Sequence, residues 1–153
     1  MSARAREALV VGIGQEAAGD DAVGLLVARV VAAQGIAALE SSDAAVLLAL
    51  LAEGRALVVV DAVVGAGAAG DVLHLRPDDL VGAHAPISSH GIGVVEALAL
   101  AGILRGADTL RAVEIVGVIV DGAPHLGSTL SAAVAAAVAP AAALAARLAR
   151  RRT

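Results

Sequence analysis

A chain of 153 residues without a single Phe, Tyr, Trp or Cys has to build its interior from aliphatic side chains alone. The material is 40 Ala, 22 Val, 20 Leu and 17 Gly. Alanine buries little area, so such a core depends on close approach of helices to a sheet, with Val, Leu and Ile supplying most of the burial energy. The same absences restrict the chemistry. Without Cys there is no disulfide scaffold, thiolate metal site, iron–sulfur cluster or cysteine nucleophile. Without aromatics there is no stacking platform for single-stranded nucleic acid and no aromatic anchor for a sugar or purine. The length fits one domain over residues 1–153, and a 59% apolar composition excludes a disordered acidic tail.

Charge adds little to the list of partners. Eleven Arg, no Lys and 15 acids give a net charge of -4. The one basic cluster, Arg147, Arg150, Arg151 and Arg152, suits the negative end of a last helix better than a nucleic-acid footprint, so no nucleic-acid partner is expected. The apolar run Val10 to Gly14 is too short for a signal peptide and is followed by Glu16, Asp20 and Asp21, which points to a cytoplasmic domain. The uncharged stretch 126–146 has the length of a membrane span. It is mostly Ala, however, and its larger side chains at Leu130, Val134, Val138, Leu144 and Leu148 keep nearly to one helical face, with a slip near Pro140. A docked terminal helix is expected, not a membrane span.

The apolar pattern predicts strands at 8–14, 36–40, 55–61, 71–76 and 111–120. Helices are expected from Asp20 or Asp21, which offer a cap, to Gly35, then from Ser42 or Asp43 to Leu51 and from His90 or Gly91 to Leu104, with a last one beginning at Ser131. Residues 77–89 read as a surface loop. Strands separated by helices imply an α/β fold, a three-layer α/β/α sandwich with a mostly parallel, five-stranded twisted sheet. Strand 71–76 follows strand 55–61 too closely for a helical crossover and is expected to run antiparallel, making the sheet mixed.

Gly12-Ile13-Gly14 with Gly19 superficially suggests a dinucleotide loop. The third Gly is misplaced for that fingerprint, and Asp20 and Asp21 occupy the helix start that a phosphate would need. There is no Lys for a P-loop, no G-x-S-x-G elbow and no H-E-x-x-H. Three other residues are more suggestive. Asp21 stands at a helix start, Asp61 ends the most buried-looking strand, and His90 opens a helix, where the positive end of the dipole favours neutral imidazole. All three lie where the chain leaves the same edge of the sheet. Two carboxylates and one imidazole form a donor set suited to a borderline divalent ion such as Ni²⁺ or Zn²⁺. Capping and solvated strand-end roles account equally well for the two acids. His74, His84 and His125 have weaker settings, on an edge strand and in loops.

Segments in order along the chain resemble the hydrogenase maturation endopeptidases. Gly12-Ile13-Gly14-Gln15-Glu16-Ala17-Ala18-Gly19-Asp20-Asp21-Ala22-Val23-Gly24 is similar to their opening strand–loop–helix, and Val58-Val59-Val60-Asp61-Ala62 to their second motif. Ser88-Ser89-His90-Gly91-Ile92-Gly93 and the helix after it resemble the third, and Gly127 with Leu130-Ser131 the closing segment. The resemblance covers about residues 8–148. It implies an α/β endopeptidase, grouped with the aspartic type, that removes the C-terminal extension of the [NiFe]-hydrogenase large-subunit precursor once nickel is in place. It also implies that Asp21, Asp61 and His90 are the metal-contacting and catalytic residues, with nickel presented by the substrate rather than stably resident. Asp20 would then be a capping or supporting residue and Glu16 would line the cleft. The chain departs from the family pattern at Gln15, where Asn is usual, and at Ala22, where Gly is frequent; neither change removes a ligand. Two other readings fit the same residues: a non-catalytic metal-sensing assembly protein that binds a metallated partner, and a peptidase of the same fold acting on another precursor.

Overall fold

The computed structural model describes residues 7–80, 87–88, 93–122, 127 and 129–151. Strands β1 (Leu9–Ile13), β2 (Ala38–Ser41), β3 (Leu57–Val64), β4 (Val72–Leu75), β5 (Ile87–Ser88) and β6 (Val113–Ile119) form one sheet. The path runs β2-β1-β3-β6-β4, and β5 pairs with the far end of β3. Strands β2, β1, β3 and β6 are parallel. The mixed α/β architecture with a five-strand path is therefore the expected one, and the short β5 adds a sixth strand. The antiparallel strand β4 lies against β6, with Val72 opposite Val118, rather than beside the strand that precedes it.

Side-chain alternation divides the interior into two layers. On one face Val10, Val58, Val60, Val116 and Val118 meet helices α1 (Val23–Ala33) and α4 (Ala132–Arg150). On the other, Leu9, Val11, Leu57, Val59 and Ile115 meet α2 (Val46–Ala52) and α3 (Val94–Arg105). Strands β1, β3 and β6 sit in the middle of the sheet and are buried along nearly their whole length, which is why they read as continuous aliphatic runs.

Helix α4 is, among the described residues, the one helix long and apolar enough to cross a membrane by length and composition. Its apolar side is spent on the core, with Val134, Ala137, Ala141, Ala145 and Leu148 buried against the sheet face. Ser131 caps it as expected, its hydroxyl accepting from the Val134 N–H at 3.4 Å. Pro140 lies inside this helix on its exposed side. Proline cannot donate to the carbonyl four residues back, that of Ala136, and both residues are exposed. The cost in helix propensity remains. Pro140→Ala is expected to stabilise the fold by about 1–3 kcal/mol, read as a higher denaturant midpoint at unchanged slope.

Several local expectations change. Residues 77–89 are not uniformly loop: Pro77–Leu80 is a 3-10 turn whose Leu80 is buried, and Ile87–Ser88 forms β5. Helix α3 starts later than expected, with Gly93 as N-cap and the Gly93 N–H donating to Glu96 Oε2 at 2.8 Å. Strand β3 does not end at Asp61 but continues to Val64, because β6 pairs with it as far as Val63 and β5 extends the pairing on Val63 and Val64. Neither Asp20 nor Asp21 caps α1. Both lie in a 3-10 turn, Gly19–Ala22, and the N-cap position falls on Ala22 without a side-chain bond.

Candidate active site

The carboxyl edge of the parallel strands is where the chain concentrates its buried charge. Among the described residues three charged side chains are buried: Asp20, Asp61 and Glu114. Two of them stand at this edge.

Asp61 is 1% exposed, in the middle of the sheet's longest strand. Its partner in β6 is Gly117, so the position directly opposite contributes no side chain beside the carboxylate. A carboxylate in such a place carries a large desolvation cost, which a fold tolerates where the group is used.

Asp21 reaches the same edge by a different route. The turn that carries it packs against β3 because three glycines bring backbones into close contact. A Cβ on Gly24 would lie 2.3 Å from the Ile13 carbonyl oxygen and 2.7 Å from that of Val60, the residue before Asp61. Gly12 and Gly14 are as tightly confined, by the Gly24 and Asp21 carbonyl oxygens at 2.2 and 2.6 Å. The glycine motif of this loop thus serves helix–strand contact and not a phosphate. Asp21 keeps partial exposure, whereas Asp20 is 4% exposed and turned inward. Its Oδ1 accepts the backbone N–H of Ser131 at 2.7 Å, 111 residues away.

The loop between β1 and the turn is fastened from both sides. Gly19 N–H donates to the Gly127 carbonyl at 2.7 Å, and Gln15 Nε2 to the Ser42 carbonyl at 3.4 Å. Glu16, just beyond the end of β1, is exposed. It pairs with Arg29 of α1, which also donates to Glu40 at 2.9 Å, and the two carboxylates, Glu40 foremost, hold the guanidinium pKa above its ordinary value.

His90 lies outside the described residues, as do His84 and His125. The described residues on either side of it are Ser88, paired with Val63 two positions beyond Asp61, and Gly93, the cap of α3. Among the described residues no group of three or more His, Asp or Glu is placed to hold a metal ion. Asp61 lies in β3, and the turn that carries Asp21 packs against that strand.

The third buried acid carries no signal in the sequence. Glu114, opposite Val58 near the start of β3, lies at the other end of the sheet. It meets His74 Nε2 at 2.8 Å and an Arg76 nitrogen at 3.5 Å. That group ties edge strand β4 to β6 and is remote from the carboxyl edge.

Comparison with known proteins identifies the family. The hydrogenase maturation protease (HycI) family model matches residues 42–148. No curated protein sequence matches. Among solved structures, the chain is similar to the [NiFe] hydrogenase maturation protease HybD of Thermococcus kodakarensis, at 26% identity and a TM-score of 0.72, covering 94% of this chain and 99% of that one. It also resembles the maturating endopeptidase HybD of E. coli, at 22% identity and a TM-score of 0.67 over 95% and 93% of the two chains. The HycI protease of T. kodakarensis KOD1 shares the fold at 20% identity, with a TM-score of 0.69 and coverage of 95% and 93%. The family match takes in Asp61, β3, β6 and nearly all of α4, more than half of the chain: the chain belongs to the hydrogenase maturation protease family.

Proposed function

We propose that the protein cuts the C-terminal extension from a [NiFe]-hydrogenase large-subunit precursor after nickel insertion, with Asp21, Asp61 and His90 contacting the nickel that the precursor carries. Family membership makes it an endopeptidase of hydrogenase maturation that trims the C-terminal end of the large-subunit precursor. The nickel dependence, the trio and a cytoplasmic site of action are the further steps of this reading. The observation that carries it is the placement of a buried carboxylate, Asp61, in mid-sheet, at the edge to which the glycine-packed turn brings Asp21.

Two carboxylates and an imidazole offer oxygen and nitrogen donors that suit Ni²⁺. Three such donors, one on β3, one in the Gly19–Ala22 turn and one from the segment of sequence before α3, favour inspecting a metal already ligated by the substrate over retaining one. The absence of Cys agrees with this, since any thiolate ligation then comes from the partner. In hydrolysis, water adds to the scissile carbonyl carbon and the carbon–nitrogen bond breaks. A carboxylate of the pair takes the proton from water and returns it to the leaving amine.

Incubation with nickel-loaded and nickel-free precursor, read by intact mass, tests the reading. The expected result is loss of the C-terminal extension from the nickel-loaded form alone. Equal cleavage of both forms would overturn nickel recognition. Binding of the loaded form without a mass change would make the protein a metal-sensing assembly factor instead.

A further inference from the structure

We infer that Asp20 is a positioning residue for the cleavage reaction: its carboxylate ties the turn carrying Asp21 to the start of α4 and thereby sets where Asp21 stands at the carboxyl edge. The inference rests on the reading of Asp21 as a nickel contact.

Two adjacent acids at one turn repel each other, and the structure separates their surroundings. Asp20 is buried and accepts the Ser131 N–H at 2.7 Å, so its charge lies at the positive end of a 19-residue helix. Asp21 stays partly exposed. The turn gains little from its own conformational preferences. Ala17 has a φ of 57° and Gly19 of 59°, a region disfavoured for an L-side chain such as Ala17. No side chain caps α1. What holds the turn is tertiary: the Asp20–Ser131 bond, the Gly19–Gly127 bond and the glycine contacts on β1 and β3. Of these only the first runs through a side chain, so it alone can be altered without changing the backbone. The same bond fixes Asp20 as a structural acceptor and leaves Asp21 to the substrate.

The test compares D20A, D20N, D20E and D21A in the full chain, acting on nickel-loaded precursor, each well below its melting temperature. D20A is expected to lose about 10- to 100-fold in kcat/KM, mainly through a higher KM for the loaded precursor, as a displaced contact weakens its hold on the substrate. In D20N the amide oxygen accepts the same N–H, so kcat/KM should stay within about threefold of wild type. D20E keeps the charge but lengthens the tie by one methylene, and is expected to lose about tenfold. A D20A protein that melts earlier yet retains wild-type kinetics would reduce Asp20 to a structural cap and overturn the inference. So would a D20N as impaired as D20A, because the charge itself would then be needed. If D20A fails to fold, a D20E with wild-type kinetics overturns it equally. A fully active D21A would instead sink the reading of Asp21 as a nickel contact.

Discussion

Replacing Asp61 by Asn is expected to lower the rate of precursor cleavage by about 10²–10⁴-fold, the range that a positioned carboxylate contributes as a proton acceptor. The substitution exchanges one oxygen for an NH₂ group and leaves the side-chain volume nearly unchanged. That matters at this position, because Asp61 is 1% exposed within β3, where a smaller residue would leave a cavity. The D61N side chain therefore keeps the packing and removes the charge. Far-ultraviolet circular dichroism and the thermal midpoint report whether the sheet survives, and intact-mass kinetics on the nickel-loaded precursor report the chemistry. A folded D61N that processes at the wild-type rate would remove Asp61 from the site. If instead D61N binds loaded precursor but does not cut it, the carboxylate acts in the chemical step, and recognition rests on Asp21 and His90.

The strands that define this site were legible for a simple reason. The middle strands β1, β3 and β6 are covered on both faces, so they read as nearly continuous aliphatic runs. Asp61 was conspicuous because it interrupts one of them. The same interruption misplaced the strand end: a polar residue looks like a boundary, whereas pairing with β6 and β5 carries β3 on to Val64. Pairing partners are not encoded in the local pattern. The role of Asp20 was hidden in the same way. A carboxylate one residue from Asp21 suggests a local cap, and nothing near it reveals that its donor is Ser131, 111 positions later. Glu114 lay within a β-branched run and gave no sign of its partners, because His74 and Arg76 meet it only across the β4–β6 ladder. The glycines gave the opposite lesson. Their spacing resembled a phosphate loop, and their actual use is close packing of α1 on the ends of β1 and β3.

That use leads to the largest expected effect on stability. By helix propensity alone, Gly24→Ala should stabilise α1 by roughly 1 kcal/mol. The surroundings reverse the sign. The new methyl would overlap two backbone oxygens, those of Ile13 and Val60, and backbone in the centre of a sheet cannot turn aside as a flexible side chain would. Relief requires α1 to move outward, which loosens Val23, Val27 and Val31 from the sheet face they cover. A loss of about 3 kcal/mol or more is expected, at the upper end of overpacking costs and a large share of the stability of a domain this size. Gly35→Ala is the internal control. That residue has a φ of +82° and nothing within 4 Å of the added carbon, so its cost of about 1–2 kcal/mol is purely conformational. Urea unfolding of both variants separates the two origins, and a Gly24→Ala no worse than Gly35→Ala would refute the packing argument. Activity should follow the same order. Moving α1 also moves the turn before it, so Gly24→Ala is expected to impair cleavage even in the fraction that folds, whereas Gly35→Ala, at the far end of that helix, leaves Asp21 in place. In a core without aromatic side chains, a single methyl between α1 and β3 thus bears on the stability of the sheet layer and on the alignment of the two carboxylates alike.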